Sequence, residues 1–148
     1  KFPHLIVSRT MSKAFAFAGV RLGYLIADPI IVDAMHLIRL PYHLSSLTQA
    51  AAISALENQE LLLSDVKKII ESRHHLAKTL SDIGLIVKPS DANFLLVGGF
   101  SSEPQEIWKA LVDQGILIRD VGIPGYLRIT IGTESENQKL VSALKKLS

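Results

Sequence analysis

The sequence predicts an α/β fold that changes character along its length, and three observations carry that expectation. Short branched apolar runs alternate with stretches whose apolar residues recur at helical spacing. One amphipathic pattern, over residues 60–83, is much longer than the others, and Gly84 stands where such a helix is capped. Beyond it the rhythm tightens to short strands with brief helices between them, as in a small α+β unit. The expected order is the end of a larger α/β domain over residues 1–59, a connecting helix over 60–83 and a small α+β domain over 84–148.

In chain order, Leu5-Ile6-Val7 predicts a buried strand that delivers Ser8 and Thr10, and Tyr24-Leu25-Ile26-Ala27 predicts a second, closed by Asp28-Pro29. Gly19 and Gly23 flank Arg21, where the backbone is expected to turn tightly or to approach a ligand. Ile31, Ala34, Met35 and Ile38 set a helix over 30–40 that Pro41 stops. Ser45 or Ser46 caps a second helix, with Ala50, Ile53, Ala55 and Leu56 on its apolar side. The long helix follows, its stripe running through Leu62, Val66, Ile69, Ile70, Arg73, Leu76, Ala77, Leu80 and Ile83.

Residues 85–87 and 94–97 then predict strands, and Ser102-Glu103-Pro104-Gln105 reads as a capping box opening a helix that Gly115 ends. Residues 116–121 and 126–131 predict a hairpin across Gly122-Ile123-Pro124-Gly125. Thr133-x-x-Glu136 caps the last helix, which turns Leu140, Val141, Leu144 and Leu147 inward.

Chemistry concentrates in residues 8–24. Lys13 follows a run that reads as a buried strand and stands among Thr10, Ser12 and Arg21. Burying a free ammonium costs several kcal/mol, so a lysine placed there is solvated, paired or used, and it is a candidate Schiff-base former. Thr10, Ser12 and Arg21 supply two hydroxyls and a planar fork, a donor set that suits a phosphate; the two hydroxyls could equally satisfy loop backbone.

A second constellation follows from hairpin geometry. With Gly122 to Gly125 as the loop, Asp120 opposes Leu127 and Arg119 opposes Arg128. Like charges directly opposed across an antiparallel pair are destabilising unless an anion lies between them. Alternation places Leu127, Ile129 and Ile131 on the core face and Arg128 on the other. The alternative is a pair of solvated arginines on an exposed face.

Several classes are excluded or disfavoured. No cysteine is present, which rules out disulfide scaffolds and thiolate zinc sites. The five histidines set no metal-ligand spacing, since His74 and His75 point about 100° apart on a helix. A net charge of +2 with dispersed basic residues and 6% aromatics does not suggest nucleic acid. No uncharged apolar run approaches the roughly 18 residues that a membrane helix needs. The start, Lys1-Phe2-Pro3-His4, reads as a piece of a longer protein rather than as a leader.

The segment Arg9-Thr10-x-Ser12-Lys13-Ala14-Phe15-x-x-Ala18-Gly19-x-Arg21-x-Gly23-Tyr24 resembles the cofactor-lysine segment of fold-type I pyridoxal-phosphate aminotransferases, in the histidinol-phosphate aminotransferase branch. The likeness continues through Leu40-Pro41-Tyr42-His43, Ala92-Asn93-Phe94 and Leu127-Arg128-Ile129-Thr130-Ile131-Gly132, so it covers nearly the whole chain. It implies the C-terminal portion of such an enzyme, using pyridoxal 5'-phosphate to exchange an amino group between glutamate and imidazole-acetol phosphate in histidine biosynthesis. It implies Lys13 as catalytic lysine, and Thr10 or Ser12 together with Arg21 as holding the cofactor phosphate. Arg128 would bind the substrate carboxylate and Arg119 the phosphate of histidinol phosphate. Tyr42 and Asn93 match segments near the family's active site, though each could be a packing or turn residue. A homodimer in the cytoplasm is also implied. The groups that stack on and protonate the cofactor ring lie upstream in the family, so the isolated chain is expected to be inactive. An aromatic amino-acid aminotransferase of the same branch is the alternative enzyme, and a noncatalytic interaction piece is the alternative of another class.

Overall fold

A computed structural model describes residues 2–147. The chain forms two compact units, Lys1–Val66 and Lys67–Ser148, divided within its longest helix.

In the first unit, β1 (Val7–Thr10) and β2 (Gly23–Ile26) form an antiparallel hairpin, with Val7 opposite Ile26 and Thr10 opposite Gly23. The first strand therefore starts at the end of the apolar run Leu5-Ile6-Val7, and it is largely exposed instead of buried. The cause lies across the hairpin. Past Ile26 the chain leaves the ladder, because Asp28 caps α1 (Pro29–Ile38) by accepting from the Ile30 amide at 3.1 Å, so Leu5 and Ile6 have no strand opposite them. Helix α1 ends before residue 40, with Arg39 extended. Pro41 disfavours helical backbone at Leu40, which moves the stop upstream.

Ser45 is the cap of α2 (Ser46–Glu57), accepting from the Thr48 amide at 3.0 Å. Of its expected apolar side only Ala55 is buried, while Ile53 and Leu56 are exposed. Helix α3 (Gln59–Asp82) ends as its sequence predicts: Gly84 takes φ 92°, and the Leu85 amide returns to the Leu80 carbonyl at 3.1 Å.

The second unit is a four-stranded antiparallel sheet in the order β3-β4-β6-β5, formed by β3 (Ile86–Val87), β4 (Phe94–Gly98), β5 (Arg119–Asp120) and β6 (Tyr126–Thr130). One face builds the core. Leu95, Val97, Leu127 and Ile129 meet Leu76 and Leu80 of α3 together with residues of α4 (Pro104–Val112) and α5 (Glu134–Leu147). Strict alternation leaves Phe94, Leu96, Tyr126 and Arg128 on the other face. Gly98 lies opposite Tyr126, and a Cβ there would meet the Tyr126 ring at 2.8 Å and the Gly125 carbonyl at 2.7 Å, so the absent side chain lets the ring lie close to the sheet.

Two local expectations change. The strand expected over 116–121 is only Arg119–Asp120, because the Ile118 carbonyl accepts from the Trp108 indole at 3.0 Å and the Ile116 amide bonds to Leu111. The Ser102 capping box does not form; Glu103 is the cap of α4 and accepts no side-chain bond. Pro104 forces its predecessor out of helical backbone, which shifts the helix start past Ser102 and Glu103. The box before α5 does form, with Glu136 Oε2 accepting from the Thr133 amide at 2.7 Å and hydroxyl at 2.8 Å, and Thr133 Oγ1 accepting from the Glu136 amide at 3.3 Å. Among the described residues no helix is long and apolar enough to cross a membrane.

Candidate functional site

Four of the predicted site residues sit on the β1–β2 hairpin. Past Thr10 opposite Gly23, the Met11 amide bonds to the Leu22 carbonyl at 3.1 Å, and beyond that bond the chain leaves the ladder into the loop that carries Ser12, Lys13 and Arg21. Thr10 donates its hydroxyl to Ser12 Oγ at 2.8 Å, and the Ser12 amide donates to Thr10 Oγ1 at 3.1 Å. The two hydroxyls and the Ser12 amide are thus bonded to one another where the loop begins. Met11 is the buried side chain at its root, and Lys13 follows at an exposed position, its carbonyl accepting from the Ala16 amide at 2.9 Å. The expected buried strand end beside Lys13 is not present in this hairpin, since β1 is exposed.

The loop is held in an unusual backbone. Ala16 and Arg21 take φ 55° and 57°, a left-handed conformation that costs a side-chain-bearing residue about 1–2 kcal/mol. Strain of this kind clusters at ligand clamps. Arg21 Nη1 donates to the Ala18 carbonyl at 3.0 Å, folding the side chain over its own loop. Of the flanking glycines, Gly23 lies in β2, where a Cβ would sit 2.8 Å from the Arg9 carbonyl; the close approach is to the paired strand, and Gly23 makes no tight turn. Gly19 has open space around it and no positive φ, so the turn is made by Ala16 and Arg21 instead. Arg9 pairs locally, with the Ser8 carbonyl at 3.4 Å. Tyr42, at φ 55°, is fully exposed at 100%.

The second group lies on the sheet of the other unit. Arg119 pairs with Arg128 and Asp120 with Leu127, the register that the loop length predicts. Asp120 does not neutralise the pair: its carboxylate accepts from the Gly122 amide at 2.8 Å and from Gln105 Nε2 at 3.2 Å. Arg128 is half-buried, its Cζ 5.0 Å from the centroid of the Phe94 ring, and its Nε is buried with no hydrogen-bond partner. A buried donor left unmet costs about 1–3 kcal/mol and marks a position where an acceptor is missing. Asn93 contributes its backbone carbonyl, which accepts from the Ile131 amide at 3.0 Å, while its residue is exposed.

Two residues near this group carried no assigned role in the sequence. Arg73, read only as one position of the α3 stripe, is 6% exposed and donates to the Ala92 carbonyl at 3.0 Å and to Asp91 at 3.4 Å. It ties the helix to the loop that leads into β4. Phe94 carries Arg128 across its ring. A cation at an apolar stripe position was the available signal for the first; the diagonal neighbourhood of Phe94 and Arg128 becomes visible only with the β4–β6 register. A cleft of about 470 Å³ lined by Arg73, His74, Lys78, Lys88 and Asp91 holds none of the predicted site residues.

The profile of the family described as "Aminotransferase class I and II" matches residues 1–144. A histidinol-phosphate aminotransferase of Mycobacterium sp. (strain JLS) is 58% identical over 143 residues, covering 97% of this chain and 38% of that protein. The chain thus spans about two fifths of the length of the curated relatives it matches. Among solved structures, the histidinol-phosphate aminotransferase from Clostridium acetobutylicum superposes with a TM-score of 0.84 at 27% identity, over 96% of this chain and 45% of that one. That from Sinorhizobium meliloti, in complex with pyridoxal-5'-phosphate, superposes at 0.78 with 32% identity, over 98% and 41%.

Proposed function

The chain belongs to the class I and II aminotransferases, and from that premise we propose that it supplies the cofactor lysine and the substrate arginines of a histidinol-phosphate aminotransferase. The enzyme exchanges an amino group between glutamate and imidazole-acetol phosphate, in histidine biosynthesis. The observation that carries this reading is the opposed pair Arg119 and Arg128, two cations on one sheet face with the neighbouring carboxylate turned away and a buried Arg128 donor unmet. Such a pair is stable with an oxyanion between it.

The hairpin residues fit pyridoxal phosphate at two of its ends. The Thr10 and Ser12 hydroxyls, joined at 2.8 Å, and the guanidinium of Arg21 on the same β1–β2 connection supply donor types that suit a dianionic phosphate. Lys13 follows directly with an amine for the carbonyl end. Once bound, the cofactor withdraws electrons from the substrate α-carbon and so weakens its C–H bond. The Nζ of Lys13 takes that proton and holds it for return, which is general acid–base work. Arg128 orients the carboxylate of glutamate, and Arg119 receives the phosphate of histidinol phosphate. Tyr42 and Asn93 remain assigned to the substrate side on the resemblance alone. We assign the enzyme to the cytoplasm as a homodimer on the resemblance alone.

The test is a pair of substitutions in the protein that carries this sequence. Hydrogen bonds to a charged group are worth about 1.5–3 kcal/mol, so Arg128→Ala is expected to raise KM for glutamate by about 10- to 150-fold and to leave retention of pyridoxal phosphate unchanged. Arg119→Ala is expected to remove activity toward histidinol phosphate while sparing aromatic amino acids. Equal loss of glutamate and cofactor binding in the first variant, or equal loss of all substrates in the second, contradicts the assignment.

A further inference from the structure

We propose that Phe94 is a positioning residue for Arg128, holding its guanidinium by the face so that its N–H edge stays available to a substrate carboxylate. The inference rests on the reading of Arg128 given above and adds the group that aims it. Arginine is long and rotamer-rich, and ordering such a side chain on binding costs affinity unless it is ordered beforehand. In this sheet the direct neighbours of Arg128 do not order it: Leu96 stands opposite on one side and the like-charged Arg119 on the other. Phe94 is paired with Thr130, one diagonal step away, within reach of an aromatic ring and a long side chain. The Arg128 Cζ lies 5.0 Å from its ring centroid. A guanidinium held through its face by a cation–π contact keeps its in-plane donors for other partners.

The platform is itself anchored. The Phe94 carbonyl accepts from Ser90 Oγ at 2.6 Å, the Asn93 carbonyl from the Ile131 amide at 3.0 Å, and the Ala92 carbonyl from buried Arg73 at 3.0 Å. The backbone entering β4 is thus pinned at three successive residues, 92 to 94, which fixes the point from which the Phe94 ring projects. Phe94 also lies on the face away from Leu95 and Val97, so replacing its ring leaves the core side chains in place.

The experiment joins a spectroscopic signature to kinetics. In wild type the Arg128 Nε–H proton, assigned by its loss in Arg128→Lys, is expected upfield through the ring current of Phe94. The shift is expected to collapse in Phe94→Leu and Phe94→Met and to persist in Phe94→Tyr. The ring-free variants are expected to raise KM for glutamate by about three- to twentyfold with kcat changed less than twofold, and Phe94→Tyr to stay near wild type. Should Phe94→Leu fail to fold, Phe94→Met and Phe94→Tyr give the same contrast. If the ring-free variants keep the KM of wild type while Arg128→Ala raises it, the positioning role is overturned and the role of Arg128 stands. If KM rises without collapse of the shift, the effect does not pass through the ring and the proposal fails. If Arg128→Ala leaves KM unchanged, the assignment of Arg128 falls, and this inference falls with it.

Discussion

Glu136 is the residue whose ionisation is most clearly tied to the fold. The Thr133 amide and hydroxyl donate to its carboxylate, with Lys139 adding attraction, and together they hold its pKa below the ordinary carboxylate range. A depressed carboxylate favours the folded state above its ordinary pKa, and that contribution is lost as pH falls through the folded value. Thermal unfolding followed from about pH 6 to about pH 3 is therefore expected to show a shallower acid-side loss in Glu136→Gln than in wild type; parallel curves would contradict it. This cap was legible because Thr-x-x-Glu acts locally. The similar spelling at Ser102 failed because Pro104, two residues on, controls the backbone of Glu103. Arg128 was legible by alternation, whereas its stacking on Phe94 depends on a register between distant strands.

Among the elements, α3 and β6 follow their sequence patterns closely because one face of each meets a dense core. Leu80, which is fully buried on α3, is expected to cost about 2–5 kcal/mol when replaced by alanine, read as a lower denaturant midpoint with an unchanged m-value. A change below about 1 kcal/mol would mean that this helix is not packed as described. The β1–β2 hairpin was less legible. Its apolar run predicts burial, but Leu5 and Ile6 lie beyond the last paired residue and Ile26 is 61% exposed. Periodicity reads what a side chain would prefer to meet, and does not supply the surface that meets it. The left-handed turns at Ala16 and Arg21 were hidden for another reason, since the glycines nearby were the expected carriers of such backbone.

At the scale of the whole molecule, the chain divides into two units, and the residues proposed for the cofactor and for the substrate lie on different ones. The first carries Thr10, Ser12, Lys13 and Arg21 on a strained loop; the second carries Arg119, Arg128 and Phe94 on an open sheet face. The first unit also exposes many apolar side chains, from Tyr24 to Leu47. That pattern agrees with a chain that covers 38% of its relative's length. The proposed function turns on Lys13 as the lysine that holds the cofactor. It is tested most directly by incubating the protein carrying this sequence with pyridoxal phosphate, reducing with borohydride and locating the modified residue by mass spectrometry. A single dominant adduct on Lys13, absent in Lys13→Ala, is the predicted result; no adduct, or adducts scattered over surface lysines with Lys13 unmodified, would contradict it.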